Sequence, residues 1–249
     1  MELRPLGKSG IRIAPLMLGG NVFGWNVDEA ASFRILDAFL DAGFNAIDTA
    51  DVYSRWAPGN KGGESEAIIG KWMKSRGNRD KVVVATKVGM DMGPGGTGLS
   101  KAHILASVEG SLARLQTDHI DLYQSHKDDP AVPVEEPLGV YAQLIEAGKV
   151  RAIGASNFEA PRLRAALDAS KAHGLPRYET LQPEYNLYDR SGFEGGLQQI
   201  CLEEGLGAIT YFSLAKGFLS GKYRSKADLG KSAARGGGVG RYLDQRGMR

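Results

Sequence analysis

Short apolar runs alternate along the chain with longer segments in which apolar residues recur at helical spacing. The short runs are typical of buried strands, and the longer segments are typical of amphipathic helices. Seven strands are predicted, over residues 15–18, 44–48, 82–87, 120–126, 150–155, 179–182 and 206–211. Six helices are predicted between them, over residues 28–43, 64–76, 100–115, 134–147, 160–172 and 193–204. Residues 2–13 precede this series and predict a hairpin that caps one end of the fold.

Strands that alternate with helices predict parallel pairing through right-handed crossovers, either in a closed barrel or in an open sheet. An open dinucleotide-binding sheet usually has a Gly-x-Gly-x-x-Gly turn after its first strand, and residues 19–24 do not match it. We therefore predict an α/β fold of the (β/α)8 TIM-type barrel, built as one domain over residues 1–249. Residues 222–249 are rich in glycine and poor in apolar residues, so the sequence for the eighth βα unit is expected to be lacking. Either the sequence is a truncated form of a longer protein, or a partner completes the barrel.

Three neighbouring strands of the predicted sheet end in side chains that can carry chemistry. The second strand ends at Asp48, the third at Lys87 and the fourth at His126, and Tyr53 follows Asp48 in a loop. Because parallel strands bring their carboxyl ends to one rim, we expect these four side chains to converge. Each has an ordinary structural explanation when it is taken singly, and it is the joint pattern that favours a catalytic site.

The four side chains suit the reduction of a carbonyl group. A tyrosine with a pKa near ~10 is a weak acid, and a neighbouring ammonium favours its phenolate. We expect Lys87 to lower the pKa of Tyr53 in this way, and Asp48 to keep Lys87 charged. His126 could donate a hydrogen bond to the oxygen that Tyr53 protonates as a hydride reaches the carbonyl carbon.

Composition narrows the function classes. The net charge of +2, with no stripe of basic and aromatic residues, does not indicate binding to nucleic acid or to an anionic membrane. The chain has no apolar signal segment or bilayer-spanning run, and its single cysteine, Cys201, excludes an intrachain disulfide, so a cytoplasmic location is expected. The four histidines are scattered without metal-ligand spacing, and no metal is predicted.

The C-terminal residues are strongly basic. Residues 222–249 contain eight Lys or Arg against two Asp or Glu, a local charge of +6, so the first 221 residues together carry −4. This tail is either a solvated basic surface or a loop that faces an anion.

Several motifs resemble the aldo-keto reductase superfamily over nearly the whole chain. They are Asn45–Tyr53 (NAIDTADVY), Gly63–Glu66 (GESE), Ala85–Lys87 (ATK), Ser111–Tyr123 (SLARLQTDHIDLY), Gly154–Phe158 (GASNF) and Gln182–Leu187 (QPEYNL). Together they are most similar to the bacterial branch that is related to the β subunits of voltage-gated potassium channels.

The resemblance implies an NADP(H)-dependent reductase of aldehydes or ketones. By the match, Tyr53 is the general acid, Asp48 and Lys87 tune it, and His126 orients the substrate carbonyl. The family positions that bind the cofactor match Gly20, Asn21, Asp48, Ser156, Asn157, Gln182, Tyr211, Phe212, Ser213, Leu214, Ala215, Gly217 and Lys222. A small carbonyl compound is the expected partner, in a pocket lined by Phe23, Trp25, Trp56 and the loop 89–98.

Two other functions are compatible with the resemblance. The first is a regulatory subunit that binds the cofactor as a sensor, as channel β subunits suggest, although those subunits have a different residue at the position of His126. The second is an inactive fragment of a reductase.

The chain departs from the family pattern at one motif: it has Phe212–Leu214 (FSL) where the family commonly has Ser-Pro-Leu.

Overall fold

A parallel sheet of seven strands forms the centre of the computed structural model, which describes residues 2–232 and 234–248. An antiparallel hairpin of β1 (Arg4–Pro5) and β2 (Arg12–Ile13) precedes the sheet. The strands of the sheet are β3 (Met17–Gly19), β4 (Ala46–Asp48), β5 (Val83–Val88), β6 (Ile120–Ser125), β7 (Val150–Ser156), β8 (Tyr178–Gln182) and β9 (Gly207–Ala208). Each strand pairs with the next one along the chain, so the sheet follows sequence order from β3 to β9.

Helices make the crossovers between these strands, as the sequence pattern predicts. They are α1 (Glu29–Asp41), α2 (Glu64–Arg76), α3 (Lys101–Leu115), α4 (Glu135–Glu146), α5 (Ala160–His173) and α6 (Gly196–Glu204). The polar residues before α1 and α3 act as the expected caps, since Asp28 accepts a hydrogen bond from the Ala31 amide at 2.7 Å and Ser100 accepts one from the His103 amide at 3.4 Å. The predicted α/β class is confirmed.

Two boundaries differ from the prediction. Helix α6 begins at Gly196 rather than at residue 193, because residues 191–195 form a turn that ends with Gly195 at φ 100°. The last strand is only Gly207–Ala208 rather than 206–211, and Tyr211 instead forms an isolated bridge with Glu184. The chain therefore leaves the sheet early, and residues 209–213 become part of the rim.

The side chains inside the curled sheet are apolar at the amino ends of the strands and polar at the carboxyl ends. At the amino ends, Ala46, Ala85, Leu122 and other apolar residues pack with Leu6 and Ile11 of the hairpin, which closes that end as predicted. At the carboxyl ends, the inward side chains are polar. Gln182 of β8 donates a hydrogen bond to Asp48 of β4 over 2.8 Å, a contact that crosses the interior because three strands separate the two in the sheet. This curled arrangement is consistent with a TIM-type barrel.

The basic tail packs on the molecule by means of a few aromatic and apolar residues. It contains α7 (Gly236–Val239) and the short 3-10 segments Lys226–Lys231 and Gly240–Tyr242. Tyr223, Val239 and Tyr242 are buried there, although the tail has little apolar material. Arg241 pairs with Glu184 and with Asp189 in the segment after β8. The tail is therefore only partly exposed to solvent, and it does not face a single binding site as a whole.

Strands β3 and β9 are the edges of the sheet within the described residues, and each pairs with one neighbour. In that same part of the chain, every helix is too short or too polar to cross a membrane.

Candidate active site

The carboxyl ends of the strands surround a cavity of about 530 Å³. Asp48 ends β4, His126 follows β6, Ser156 ends β7 and Gln182 ends β8, and all four side chains line this cavity. Tyr53 reaches the same cavity from the loop after β4. The structure thus places residues from the ends of β4, β6, β7 and β8 and from the loop after β4 at one rim, as the sequence predicts for parallel strands.

Lys87 lies beneath the cavity floor and is completely buried. Its Nζ donates hydrogen bonds to Asp48 Oδ2 at 2.6 Å, to the Thr49 carbonyl oxygen at 2.8 Å and to Tyr53 Oη at 3.3 Å. An ammonium has three protons to donate, and these three acceptors account for all of them. Lys87 is therefore fixed between one carboxylate and one phenol.

The charges in this group set two pKa values. Burial by itself would lower the pKa of Lys87, but its interactions with Asp48, and then with Tyr53, outweigh burial and raise that pKa above its ordinary value. Burial raises the pKa of Tyr53, and the charge of Lys87 offsets only part of this effect. Lys87 therefore lowers the pKa of Tyr53 as expected, but the desolvation of a buried phenolate outweighs one neighbouring ammonium, so the pKa lies above its ordinary value rather than below it.

The loop that carries Tyr53 is tied to α2. The Tyr53 carbonyl oxygen accepts hydrogen bonds from the amides of Gly63 at 2.9 Å and Ser65 at 3.3 Å. The phenol ring makes edge contacts with Trp56, at 5.6 Å between ring centroids, and with His126, at 5.8 Å. These contacts define the direction in which the Tyr53 hydroxyl points.

His126 is buried and neutral. Burial, reinforced by the charge of Lys87, lowers the pKa of its imidazole well below the ordinary value. Its Nδ1 has no hydrogen-bond partner within the described residues. The backbone of His126 is held on both sides, by the Val88 carbonyl oxygen and by Asn157 Nδ2, at 2.8 Å and 2.9 Å. A neutral imidazole carries one N–H, which can donate to a carbonyl oxygen in the cavity.

The polar wall opposite Tyr53 is a connected network of amides and hydroxyls. Ser156 Oγ donates to the Gln182 carbonyl oxygen at 2.9 Å, and Asn157 Nδ2 donates to Ser156 Oγ at 3.0 Å. Tyr211 Oη donates to Asn157 Oδ1 at 2.7 Å. Asn157 takes a positive φ of 54°, which turns its side chain back towards this network.

The other predicted cofactor residues divide into two groups. Asn21, Phe212 and Ser213 line the cavity together with the residues already described. The remainder of the set lies outside the cavity wall, namely Gly20, Leu214, Ala215, Gly217 and Lys222. Of the residues predicted for the substrate pocket, Trp56 lines the cavity, and the loop 89–98 contributes Met90. Phe23 is buried and does not line the cavity. Trp25 packs against Trp56, with 5.8 Å between the two ring centroids.

Gly20 allows the first-strand loop to approach β4 and α2. Its amide donates to the Asp48 carbonyl oxygen at 2.7 Å, and its carbonyl oxygen accepts from Ser65 Oγ at 2.8 Å. A Cβ at this position would lie 2.8 Å from Ser65 Oγ and 3.2 Å from the Asp48 carbonyl oxygen. The contribution of Gly20 in this structure is therefore close packing beside Asp48.

The loop after β9 has an unusual backbone. Phe212, Ala215 and Lys216 take positive φ values of 54°, 49° and 57°, and Gly217 follows at 104°. Positive φ is uncommon for residues other than glycine, and such conformations concentrate at functional sites. The reversed backbone begins at Phe212, which lines the cavity together with Ser213, and such a backbone suits a loop that binds a ligand.

Three polar or charged residues of the site are absent from the sequence prediction. Gln124 Nε2 donates to Asp48 Oδ1 at 3.4 Å from within β6. Thr210 and Arg235 line the cavity from the segment after β9 and from the tail. The guanidinium of Arg235 lies 5.8 Å from the centroid of the Phe212 ring, and within the described residues it makes no ion pair. The basic composition of the tail was the only signal that pointed towards Arg235.

Comparison with known proteins agrees with the resemblance. The model of the "Aldo/keto reductase family" matches residues 15–237, so the chain belongs to that family. It is 37% identical over 228 residues to aldo-keto reductase YhdN of Bacillus subtilis, covering 89% of this chain and 65% of that protein. It is 40% identical over 229 residues to the uncharacterized oxidoreductase YrpG of the same organism, covering 89% and 69%.

A further relative is named for a different function. The probable voltage-gated potassium channel subunit beta of Oryza sativa is 35% identical over 226 residues, covering 90% of this chain and 67% of that protein. The predicted likeness to this branch of the superfamily is therefore confirmed. The chain spans about two thirds of the length of these relatives, from 65% to 69%.

Proposed function

We propose that this protein reduces an aldehyde or ketone to an alcohol with NADP(H), with Tyr53 as the general acid. The observation that carries the proposal is the position of Lys87 Nζ, which lies 2.6 Å from Asp48 Oδ2 and 3.3 Å from Tyr53 Oη under the cavity. This geometry joins a proton donor to a cation that can stabilise the donor after its proton has left.

Tyr53 is suited to give up a proton during the reaction and to regain it afterwards. Because burial raises its pKa, the hydroxyl is protonated at neutral pH and can donate to a substrate oxygen. The phenolate that forms lies beside the Lys87 ammonium, and Asp48 keeps that ammonium charged through the contact at 2.6 Å. Proton transfer from a positioned side chain contributes about 10²–10⁴-fold to a rate.

His126 would position the substrate. Its imidazole is neutral because burial and Lys87 lower its pKa, so it offers one N–H without adding a competing positive charge. Its ring packs edge-on against Tyr53 at 5.8 Å. A carbonyl oxygen that accepts from both residues would have its carbon turned towards the polar wall of Ser156 and Asn157.

The residues of this wall fit a nicotinamide cofactor. A carboxamide needs both donors and acceptors, and Ser156, Asn157 and Gln182 supply hydroxyl and amide groups along one side of the cavity. Tyr211 presents an aromatic ring at the same place. A nicotinamide cofactor supplies, when bound, the hydride that carbonyl reduction requires.

The positively charged side chains near the loop after β9 are suited to the phosphates of such a cofactor. Lys216 Nζ lies over the Phe212 ring at 4.8 Å from its centroid, and the Arg235 guanidinium lies 5.8 Å from the same centroid. The side chain of Lys222 lies close to Gly217. Within the described residues these three cations form no ion pair, whereas Arg241 and Lys231 of the same tail are paired with carboxylates. Cations without carboxylate partners beside a loop of small residues are suited to a diphosphate.

Two further proposals concern the molecule as a whole. We infer that the seven strands belong to a single (β/α)8 barrel domain, in which a further strand would pair with both β3 and β9. We also infer a cytoplasmic location, because Cys201 is a buried free thiol of the kind that a reducing compartment maintains.

The proposal is tested by binding and turnover in one titration. NADPH and NADH are added separately while the fluorescence of the protein's tryptophans is followed, and nitrobenzaldehyde is then added and NADPH absorbance recorded. We expect quenching at micromolar NADPH, weaker quenching by NADH, and loss of NADPH that depends on the aldehyde.

Three outcomes separate the possibilities. Turnover of the aldehyde supports the reductase. Tight NADPH binding without turnover of any aldehyde or ketone would overturn it and favour a sensor. A folded protein that binds neither nucleotide would overturn the cofactor assignment itself.

A further inference from the structure

Glu66 is a fully buried carboxylate in the first turn of α2, and it contacts two other elements. Its Oε1 accepts a hydrogen bond from Thr86 Oγ1 of β5 at 2.5 Å, and its Oε2 lies 2.7 Å from Arg114 Nε of α3. None of these three side chains lines the cavity. Burying a carboxylate is unfavourable unless it is paired and hydrogen-bonded, and here each of its oxygens has a partner.

The same turn of α2 holds the loop that carries Tyr53. The amides of Gly63 and Ser65 donate to the Tyr53 carbonyl oxygen at 2.9 Å and 3.3 Å. The hydroxyl of Ser65 accepts from Thr49 Oγ1 at 2.8 Å, and the carbonyl oxygen of Thr49 accepts from Lys87 Nζ at 2.8 Å. The start of α2 therefore positions the backbone at both Thr49 and Tyr53.

These contacts close a ring through the proposed catalytic pair, Lys87 and Tyr53. Thr86 directly precedes Lys87 in β5, so their side chains point to opposite faces of the sheet. Lys87 reaches Tyr53 Oη at 3.3 Å on one face, and Thr86 reaches Glu66 on the other. Tyr53 is in turn bonded through its carbonyl oxygen to Ser65, the residue next to Glu66. A shift of Glu66 against Thr86 would therefore change the distance between Lys87 Nζ and Tyr53 Oη.

Arg114 anchors Glu66 in this place. Its side chain packs directly on Gly63, where a Cβ would lie 2.3 Å from Arg114 Cδ and 2.4 Å from Arg114 Nε. Gly63 also takes a positive φ of 86°, so a glycine is needed there for the backbone as well as for the close approach. The motifs Gly63–Glu66 and Ser111–Tyr123 thus meet at the ion pair between Glu66 and Arg114.

We propose that Glu66, anchored by Arg114, is a positioning residue that sets the distance between Lys87 Nζ and Tyr53 Oη. Its consequence in catalysis rests on the proposed function, in which the Lys87 ammonium stabilises the Tyr53 phenolate. The contacts themselves exist in the folded protein without turnover. An ion pair that only packed α2 on α3 would leave Tyr53 unmoved when the hydroxyl of Thr86 is removed.

The first test follows the ring of Tyr53. The full chain is labelled with 3-fluorotyrosine, and the ¹⁹F resonance that is missing from Tyr53→Phe is assigned to Tyr53. Lys87 Nζ lies 5.0 Å from the centroid of this ring, so its charge acts on the fluorine. Thr86→Val removes the hydroxyl that bonds to Glu66 and keeps the shape of the side chain. We expect the Tyr53 resonance to shift in Thr86→Val and to return towards the wild-type position in Thr86→Ser.

A control variant separates this effect from a general loss of a buried hydrogen bond. Ser170→Ala removes a buried hydroxyl of α5 that donates to the Leu175 carbonyl oxygen at 2.6 Å. The Tyr53 resonance of this variant should coincide with that of the wild-type protein. A shift of the same size in Ser170→Ala would show that the resonance reports stability rather than the position of Tyr53, and would overturn the proposal.

A second variant removes the whole ion pair. Glu66→Leu combined with Arg114→Met replaces both partners by apolar residues of similar size, a change that folded proteins often tolerate. The Tyr53 resonance should move in this double variant as well. Arg164→Met is the matched control, because Arg164 is 34% exposed and pairs with Glu204 at 2.9 Å, whereas Arg114 is 30% exposed and pairs at 2.7 Å. No shift of the Tyr53 resonance is expected in the control.

Kinetics provide a separate readout. The kcat of Thr86→Val should fall about 10- to 100-fold, since a misplacement of about 1 Å can have an effect of this size, while the Kd for NADPH stays unchanged. Thr86→Ser should recover most of the kcat. An unmoved Tyr53 resonance in folded Thr86→Val, or in the folded double variant, would overturn the positioning role and leave a packing role. A wild-type protein that reduces no carbonyl would overturn the proposed function alone, because the ¹⁹F spectra do not depend on turnover.

Discussion

Gln182 Nε2 lies 2.8 Å from Asp48 Oδ1, and this hydrogen bond spans the interior of the curled sheet from β8 to β4. Asp48 Oδ2 is at the same time 2.6 Å from Lys87 Nζ. One carboxylate therefore links the proposed catalytic group to the polar wall that is proposed for the nicotinamide. A change on the cofactor side of the cavity is expected to reach Tyr53 through Asp48 and Lys87.

Gln182→Leu tests this link. Among the residues that the structure describes, the variant leaves Asp48 Oδ1 with only Gln124 at 3.4 Å, so the free energy of unfolding should fall by about 1–3 kcal/mol, the usual effect of a poorly satisfied buried acceptor. NADPH binding and kcat should both decrease. Urea unfolding and fluorescence titration measure these effects, with Gln198→Leu at an exposed position of α6 as the control. A variant with wild-type stability and turnover would show that the link has no consequence.

Gly20→Ala tests the packing beside Asp48. The added Cβ would lie 2.8 Å from Ser65 Oγ and 3.2 Å from the Asp48 carbonyl oxygen, so the loop or α2 must move. We expect a loss of about 1–3 kcal/mol in the free energy of unfolding, as for overpacked sites, together with reduced turnover. Gly139→Ala in α4 is the control, since a Cβ there has no neighbour within 4 Å. Equal stability of Gly20→Ala and wild type would contradict the packing role.

Stability should fall on the acid side because of His126. Its pKa is lowered well below the ordinary value in the folded protein, chiefly by burial, while the unfolded chain keeps a value near ~6.5. As the pH falls below ~6.5, the unfolded state binds a proton that the folded state does not, which costs at most about 1.4 kcal/mol per pH unit. Urea unfolding of wild type and His126→Gln at pH values above and below this point should show a smaller loss in the variant. The exposed His173→Gln is the control, and equal losses in all three proteins would exclude His126 as the cause.

Arg235 should contribute to cofactor affinity. Its guanidinium lies over Phe212 at the edge of the cavity, and no carboxylate pairs with it within the described residues. Arg235→Leu is expected to weaken NADPH binding by about tenfold or more, which corresponds to one charged hydrogen bond. Fluorescence titration at two salt concentrations measures the change, with Arg224→Leu on the exposed part of the tail as the control. An identical Kd in Arg235→Leu would remove Arg235 from the binding site.

The sequence was informative where periodicity and strand polarity decide the structure. Asp48, Lys87 and His126 were expected at one rim because parallel strands bring their carboxyl ends together, and the structure places all three around one cavity or beneath its floor. Helix caps were equally visible, since Asp28 and Ser100 stand directly before apolar helical periods. The roles of these residues in catalysis and binding remain proposals.

Other features depend on distances that the sequence does not contain. Gln124 lies within β6, and nothing in the neighbouring sequence shows whether a polar residue there belongs to a functional site or to the core. Arg235 is 23 residues beyond Phe212, and only the fold of the tail brings them together. The sign of the change in the Tyr53 pKa could not be read from the presence of Lys87, because it depends on how completely both groups are buried.

The central claim is that the Tyr53 hydroxyl protonates the substrate oxygen, and Tyr53→Phe tests it most directly. The variant keeps the ring contacts with Trp56 and His126 and removes only the oxygen that Lys87 contacts. We measure kcat for NADPH-dependent reduction of nitrobenzaldehyde beside the Kd for NADPH, with Tyr141→Phe in α4 as a matched control. The proposal predicts a decrease in kcat of about 10²–10⁴-fold with nearly unchanged NADPH binding, and no decrease in the control. A kcat in Tyr53→Phe equal to that of wild type would contradict it.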